Sequence, residues 1–139
     1  NTAIMQYLSE QYPQAHLFGQ GDAKQQAKAH QWFGMVNADI HSKFSIIFGP
    51  QRYAQSEAAQ AEVVASAKSL LQGLFAAVDT HLNGRDYLAE GVSVADVYLL
   101  VTLNWAAKTG VDLSACKNLE AYKARVSANS AVAKVLALQ

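Results

Sequence analysis

Two groups of side chains in this 139-residue sequence have types and spacing that could do chemistry. The first is Asp39 and His41, which fall on one predicted helix beside an apolar stripe of Val36, Ile40 and Phe44. At such an edge a neutral imidazole can donate a hydrogen bond, while a plain surface histidine and a solvated carboxylate are the competing readings. The second is the aromatic set Phe44, Phe48 and Trp105, whose faces suit a hydrophobic ligand as well as they suit core packing. Cys116 stands in a connection with no histidine close in sequence, which argues against a nucleophile. His16, His30 and His81 show neither His-x-x-x-His nor Glu-x-x-His spacing, so no metal site is expected. A haem pocket would need a histidine on an apolar helix face. His41 lies only beside such a face, and His30 sits in a polar turn.

Helical periodicity supplies the elements that must hold these residues. Ile4, Leu8 and Tyr12 recur at helical spacing, with Asn1 or Thr2 as a cap, which predicts a helix over about 2–12 that stops before Pro13. Residues 13–22 carry a proline and two glycines and read as a linker. Asp22 caps a long helix predicted over 23–48, whose apolar positions run from Ala29 and Trp32 to Ile47 and Phe48 and which ends at Gly49-Pro50. Gly34 within it either costs about 1 kcal/mol against alanine or permits close packing. Ser56 caps a third helix, over 57–83, and Asn83-Gly84 supplies a left-handed stop. In the loop 84–91, Tyr87 and Leu88 are expected to tuck against the rest.

The strongest start signal is Ser93-Val94-Ala95-Asp96, a capping box in which each end of the motif can satisfy a free N–H of the other. The helix it opens, over 93–108, is apolar almost all round, as expected of a buried central helix. Asn118 and Ser130 read as caps of two final helices, to about Ala128 and Leu138. No strand pattern appears, so the fold class is all-α.

The totals narrow the function. Eleven basic and eleven acidic side chains cancel, which removes the electrostatic case for nucleic acid or an anionic membrane. An apolar fraction of 51%, rich in alanine, is ample for closely packed helices. A single cysteine forbids an intrachain disulfide and points to a reducing, cytoplasmic setting. No uninterrupted apolar run approaches the roughly 18 residues of a membrane span, and no signal peptide is visible. Because the first helical stripe needs a partner surface, the chain is expected to be a piece of a longer protein.

The order of these elements resembles the glutathione transferases. Asn-Thr-Ala-Ile-Met-Gln-Tyr-Leu (residues 1–8) is similar to the Ser-Asn-Ala-Ile-x-x-Tyr-Leu that starts the last helix of their thioredoxin-like domain. Ser93-Val94-Ala95-Asp96 matches the Ser/Thr-x-x-Asp box of their helical domain, and the spacing from Trp32 to His41 resembles the bacterial beta class. The resemblance covers essentially the whole chain. It implies that residues 1–12 are the last helix of a truncated thioredoxin-like domain, 13–22 a linker, and 23–139 the C-terminal helical domain. It further implies that Asn1, Asp39 and His41 contact glutathione, Asn1 standing where the family has a serine that holds the γ-glutamyl carboxylate. His41, Phe44, Phe48 and Trp105 would then line the pocket for a hydrophobic electrophile. Gly34 replaces an asparagine usual in the beta class.

By the same resemblance the parent protein would be a homodimer with glutathione as co-substrate, no covalently bound cofactor, and no nucleic-acid or membrane partner. The Cys, Ser or Tyr that activates the thiol in this family has no counterpart here, and Pro13 and Pro50 sit at helix ends, the wrong context for its cis-proline. The expectation is therefore that this chain alone contains no catalytic residue and is inactive. The alternative is a non-catalytic glutathione transferase-like interaction module.

Overall fold

In the computed structural model, which describes residues 1–138, polar side chains at helix starts set most element boundaries. The helices are α1 (Thr2–Gln11), α2 (Ala23–Met35), α3 (His41–Phe48), α4 (Glu57–His81), α5 (Val94–Thr109), α6 (Lys117–Ser127) and α7 (Ser130–Leu136). No strand occurs among the described residues, and the all-α expectation holds. Asp22 opens α2 by accepting the N–H of Gln25 at 2.9 Å, while the Gln25 side chain accepts the N–H of Asp22 at 2.9 Å. Ser56 opens α4 by accepting the N–H of Ala59 at 3.2 Å. Gly84, at φ +72°, makes the left-handed turn just after α4 that a residue with a Cβ would resist.

Three expectations change. The stretch 23–48 is not one regular helix: Val36–Ile40 form a π-helical turn between α2 and α3. The buried residues Val36, Ile40 and Phe44 follow one another at intervals of four, and the wider turn keeps them on one face where a regular helix would let them drift. The caps of the last two helices also differ. α6 starts at Lys117, and its free N–H groups at Asn118 and Leu119 are taken by Asp79 of α4, at 2.7 and 3.0 Å. α7 is capped by Asn129, which accepts from Ala131 and Val132. Gly34, finally, faces open space, so close packing does not account for it.

The core gathers on α5, where Ala95, Asp96, Leu99, Leu100, Thr102, Leu103 and Ala106 are buried. Around them pack Phe33, Val36, Ile40 and Phe44 from the α2–α3 segment, Leu71, Phe75 and Val78 from α4, and Tyr122 and Val126 from α6. Burial of α5 is not complete. Val97 and Val101 remain 36% and 38% exposed, because the short α7 covers that side only in part. Between α5 and α7 runs an apolar groove of about 600 Å³, with Val101, Trp105, Val132 and Val135 among its walls and Lys108 at its edge. α4 is long and apolar enough to cross a bilayer by length and composition. Much of that apolar character is alanine; of its larger side chains Leu71, Phe75 and Val78 are buried in the core, whereas Leu70 is exposed. In α1 no residue is buried, and Ile4 and Tyr7 are mostly exposed.

One buried carboxylate ties these pieces together. Asp96, fully excluded from solvent, accepts the N–H of Ser93 at 2.8 Å and its hydroxyl at 2.9 Å, completing the capping box. Its other oxygen accepts the N–H of Leu88 at 3.0 Å and the phenol of Tyr122 at 2.9 Å. The loop, α5 and α6 thus meet at one side chain. Leu88 is held from its other end as well, its carbonyl lying 2.9 Å from His81 Nε2. Burial, followed by the neighbouring Asp96 charge, pushes the Tyr122 phenol far above its ordinary range, so it remains a donor.

Asp96→Ala leaves several buried donors without a partner, each costing ~1–3 kcal/mol. The expected loss is about 3 kcal/mol, more than a surface cap alone would cost. Thermal unfolding should show the midpoint falling by about 10 °C. An unchanged midpoint would mean that these hydrogen bonds do not hold the bundle.

Candidate functional site

The π-helical turn sits where the candidate residues converge, a common place for such irregularities. It carries Asn37 and delivers the chain to His41, the first residue of α3. Across from it, α5 presents Tyr98 and, two turns on, Trp105. His41 Nδ1 is hydrogen-bonded to the Tyr98 hydroxyl. The same hydroxyl accepts from Asn1 Nδ2 at 2.7 Å and lies 3.3 Å from Asn37 Oδ1. Three side chains, from the residue before α1, the π turn and α3, therefore meet at one phenol oxygen on α5. Burial raises the Tyr98 phenol above its ordinary range, and the Asn1 hydrogen bond opposes that in part, so the group is protonated at neutral pH.

Against this polar cluster lies an aromatic one, with Trp105 as its hub. The Trp105 ring meets His41 edge to face at 5.0 Å, Phe44 at 5.5 Å and Phe48 at 5.4 Å, and Phe44 and Phe48 stack at 5.9 Å. Edge-to-face and offset packing are the favoured geometries for such rings. Phe44 is fully buried and forms the floor, whereas Phe48 is 56% exposed and offers its face to anything that approaches. Trp105 also lines the α5–α7 groove, so one indole touches both His41 and that groove.

Of the sequence candidates, Asn1, His41, Phe44, Phe48 and Trp105 come together. Asp39 does not join them: it is exposed on the π turn and makes no hydrogen bond to the cluster. Asn1 stands at the helix-capping position, yet its side chain caps nothing and reaches Tyr98 instead. Cys116 is buried at the start of α6, where burial and the charges of Asp79 and Asp112 raise its thiol pKa. His81 is not a solvated side chain, since its ring packs on Trp32 at 4.3 Å while holding the Leu88 carbonyl. His30 stacks on Phe18 at 3.6 Å. No group of three or more metal-ligating side chains occurs among the described residues.

Tyr98 and Asn37 are absent from the sequence candidates. A tyrosine inside an otherwise apolar helix is a signal in itself, because a buried phenol needs a partner. Asn37 lies four residues before His41, the spacing at which helix side chains meet.

Residues 32–129 match the family described as "Glutathione S-transferase, C-terminal domain". The chain belongs to the glutathione S-transferase family. Over 137 residues it is 39% identical to a glutathione S-transferase of Xanthomonas campestris pv. campestris, covering 98% of this chain and 67% of that protein. A solved glutathione S-transferase from Xylella fastidiosa superposes with a TM-score of 0.89 at 35% identity, covering 98% of this chain and 67% of its own. A bacterial beta-class transferase from Sphingomonas chungbukensis gives a TM-score of 0.81 at 28% identity, covering 98% and 65%. The chain thus spans about two thirds of the length of these relatives. Its likeness to bacterial, beta-class transferases agrees with the Trp32–His41 spacing.

Because a protonated, buried thiol is a poor nucleophile, Cys116 should react slowly with a thiol reagent in the folded chain. Labelling should accelerate at least tenfold in denaturant. Equal rates folded and unfolded would show that the thiol is accessible.

Proposed function

We propose that this chain is the helical, acceptor-site part of a glutathione transferase that joins glutathione to hydrophobic electrophiles. The observation that carries this reading is the meeting of His41 with the Trp105, Phe44 and Phe48 rings. An apolar aromatic wall with one convergent polar group suits an aromatic electrophile, and an imidazole N–H beside it suits a sulfur anion or a developing negative charge. In this reading Asn1 and His41 face glutathione, Asp39 reaches the glutathione of a second subunit, and His41, Phe44, Phe48 and Trp105 line the acceptor pocket.

The division of the chain follows the same reading. Residues 1–12 belong to a thioredoxin-like domain, 13–22 link it, and 23–139 form the helical domain. The group that lowers the pKa of the thiol lies outside this chain, so the chain alone is inactive. The whole protein is a cytoplasmic homodimer whose co-substrate is glutathione.

Conjugation of glutathione to a chlorinated aromatic tests these roles in the whole protein. His41→Ala removes one hydrogen bond to a charged group, so kcat/KM should fall by about 10–100-fold. Trp105→Ala removes apolar binding surface and should act mainly by raising KM. The isolated 139-residue chain should give no rate above the uncatalysed background. Conjugation by the isolated chain would refute the inactivity, an unchanged rate in the His41 variant would remove His41 from the machinery, and no conjugation by the whole protein would favour a non-catalytic interaction module.

A further inference from the structure

The phenol of Tyr98 carries one proton and stands among three polar side chains. Asn1 Nδ2 can only donate, and does so at 2.7 Å. The remaining partners are His41 Nδ1 and Asn37 Oδ1. At 3.3 Å the Asn37 oxygen lies beyond the ordinary O–H···O range of about 2.5–3.0 Å, so it competes weakly for that proton. His41 Nε2 makes no hydrogen bond among the described residues. No buried side-chain nitrogen or oxygen among them lacks a partner either, so Nε2 meets solvent.

We infer that Tyr98 is a positioning residue that gives its proton to His41 Nδ1 and so holds the neutral imidazole with its own proton on Nε2, facing outward. Asn1, Tyr98 and His41 then form a line of donors, Asn1 Nδ2–H to the phenol oxygen, phenol O–H to Nδ1, and Nε2–H to a ligand. Each bond polarises the next, which strengthens the outermost donor. The site selects an anion or a lone-pair acceptor at Nε2, such as a thiolate, and does not present a base there. This refinement rests on the proposed contact of His41 with glutathione sulfur, but the proton arrangement itself is measurable without glutathione.

Long-range proton–nitrogen NMR correlation on the 139-residue chain, at alkaline pH and with no glutathione present, reads the His41 tautomer directly. Nδ1 should show the shift of an unprotonated, hydrogen-bonded nitrogen and Nε2 that of a protonated one. In Tyr98→Phe the packing is retained and the donor is lost, so the preference for Nε2–H should fall by about tenfold. Asn1→Ala should weaken the hydrogen-bond shift at Nδ1 without moving the proton. A proton found on Nδ1 in the unaltered chain overturns the inference and needs no variant to be seen. An Nδ1 shift unmoved by Tyr98→Phe overturns it as well, and one unmoved by Asn1→Ala removes Asn1 from the line. None of these outcomes bears on whether the whole protein is a transferase, which the conjugation rate of the unaltered whole protein decides separately.

Discussion

A carboxylate taken fully out of water is tolerable only if hydrogen bonds replace its hydration, and Asp96 meets that condition with donors from three segments. The alternative arrangements of the chain near α5 would each strand the charge or one of its donors. Breaking any one contact therefore disturbs the others. The penalty for imperfect satisfaction, more than the worth of any single bond, fixes the loop before α5, the start of α5 and the position of α6 relative to both.

The candidate site inherits its geometry from that anchor. Tyr98 lies two residues after Asp96 and Trp105 two turns beyond Tyr98, so the direction in which α5 leaves its cap decides where the phenol and the indole stand. The opposing wall is set by different means. Val36, Ile40 and Phe44 bury themselves at intervals of four, the π-helical turn accommodates that spacing, and Asn37 and His41 are carried to α5 as a consequence. A requirement of core packing thus places polar side chains at an aromatic wall.

The remaining surfaces are less constrained. α1 buries no residue, and the Asn1 amide on Tyr98 is a direct side-chain tie between its start and the bundle. Val97 and Val101 remain open along the α5–α7 groove, which Trp105 also lines. A helix that reads as apolar on every face can keep one strip uncovered when its neighbour is only seven residues long.

The sequence by itself determined what is local. The Ser93–Asp96 box, the caps at Asp22 and Ser56, and the stop at Gly84 depend on residues a few positions apart, and each is found where its spacing places it. The all-α class followed from periodicity, and the family from motifs kept in order. The caps of α6 and α7 were legible only in part, because Asp79 serves α6 from 39 residues away. Only the tertiary structure decided that Asn1 and Tyr98, 97 residues apart, share a hydrogen bond, that Asp39 stays outside the cluster, and that Leu88 and Tyr122 complete the set of donors that replaces the hydration of Asp96. The reason is physical. A cap or a turn is chosen by the torsions and free N–H groups of its own few residues, whereas the partner of a buried phenol or carboxylate is chosen by whichever donor or acceptor the packing of distant helices brings within reach.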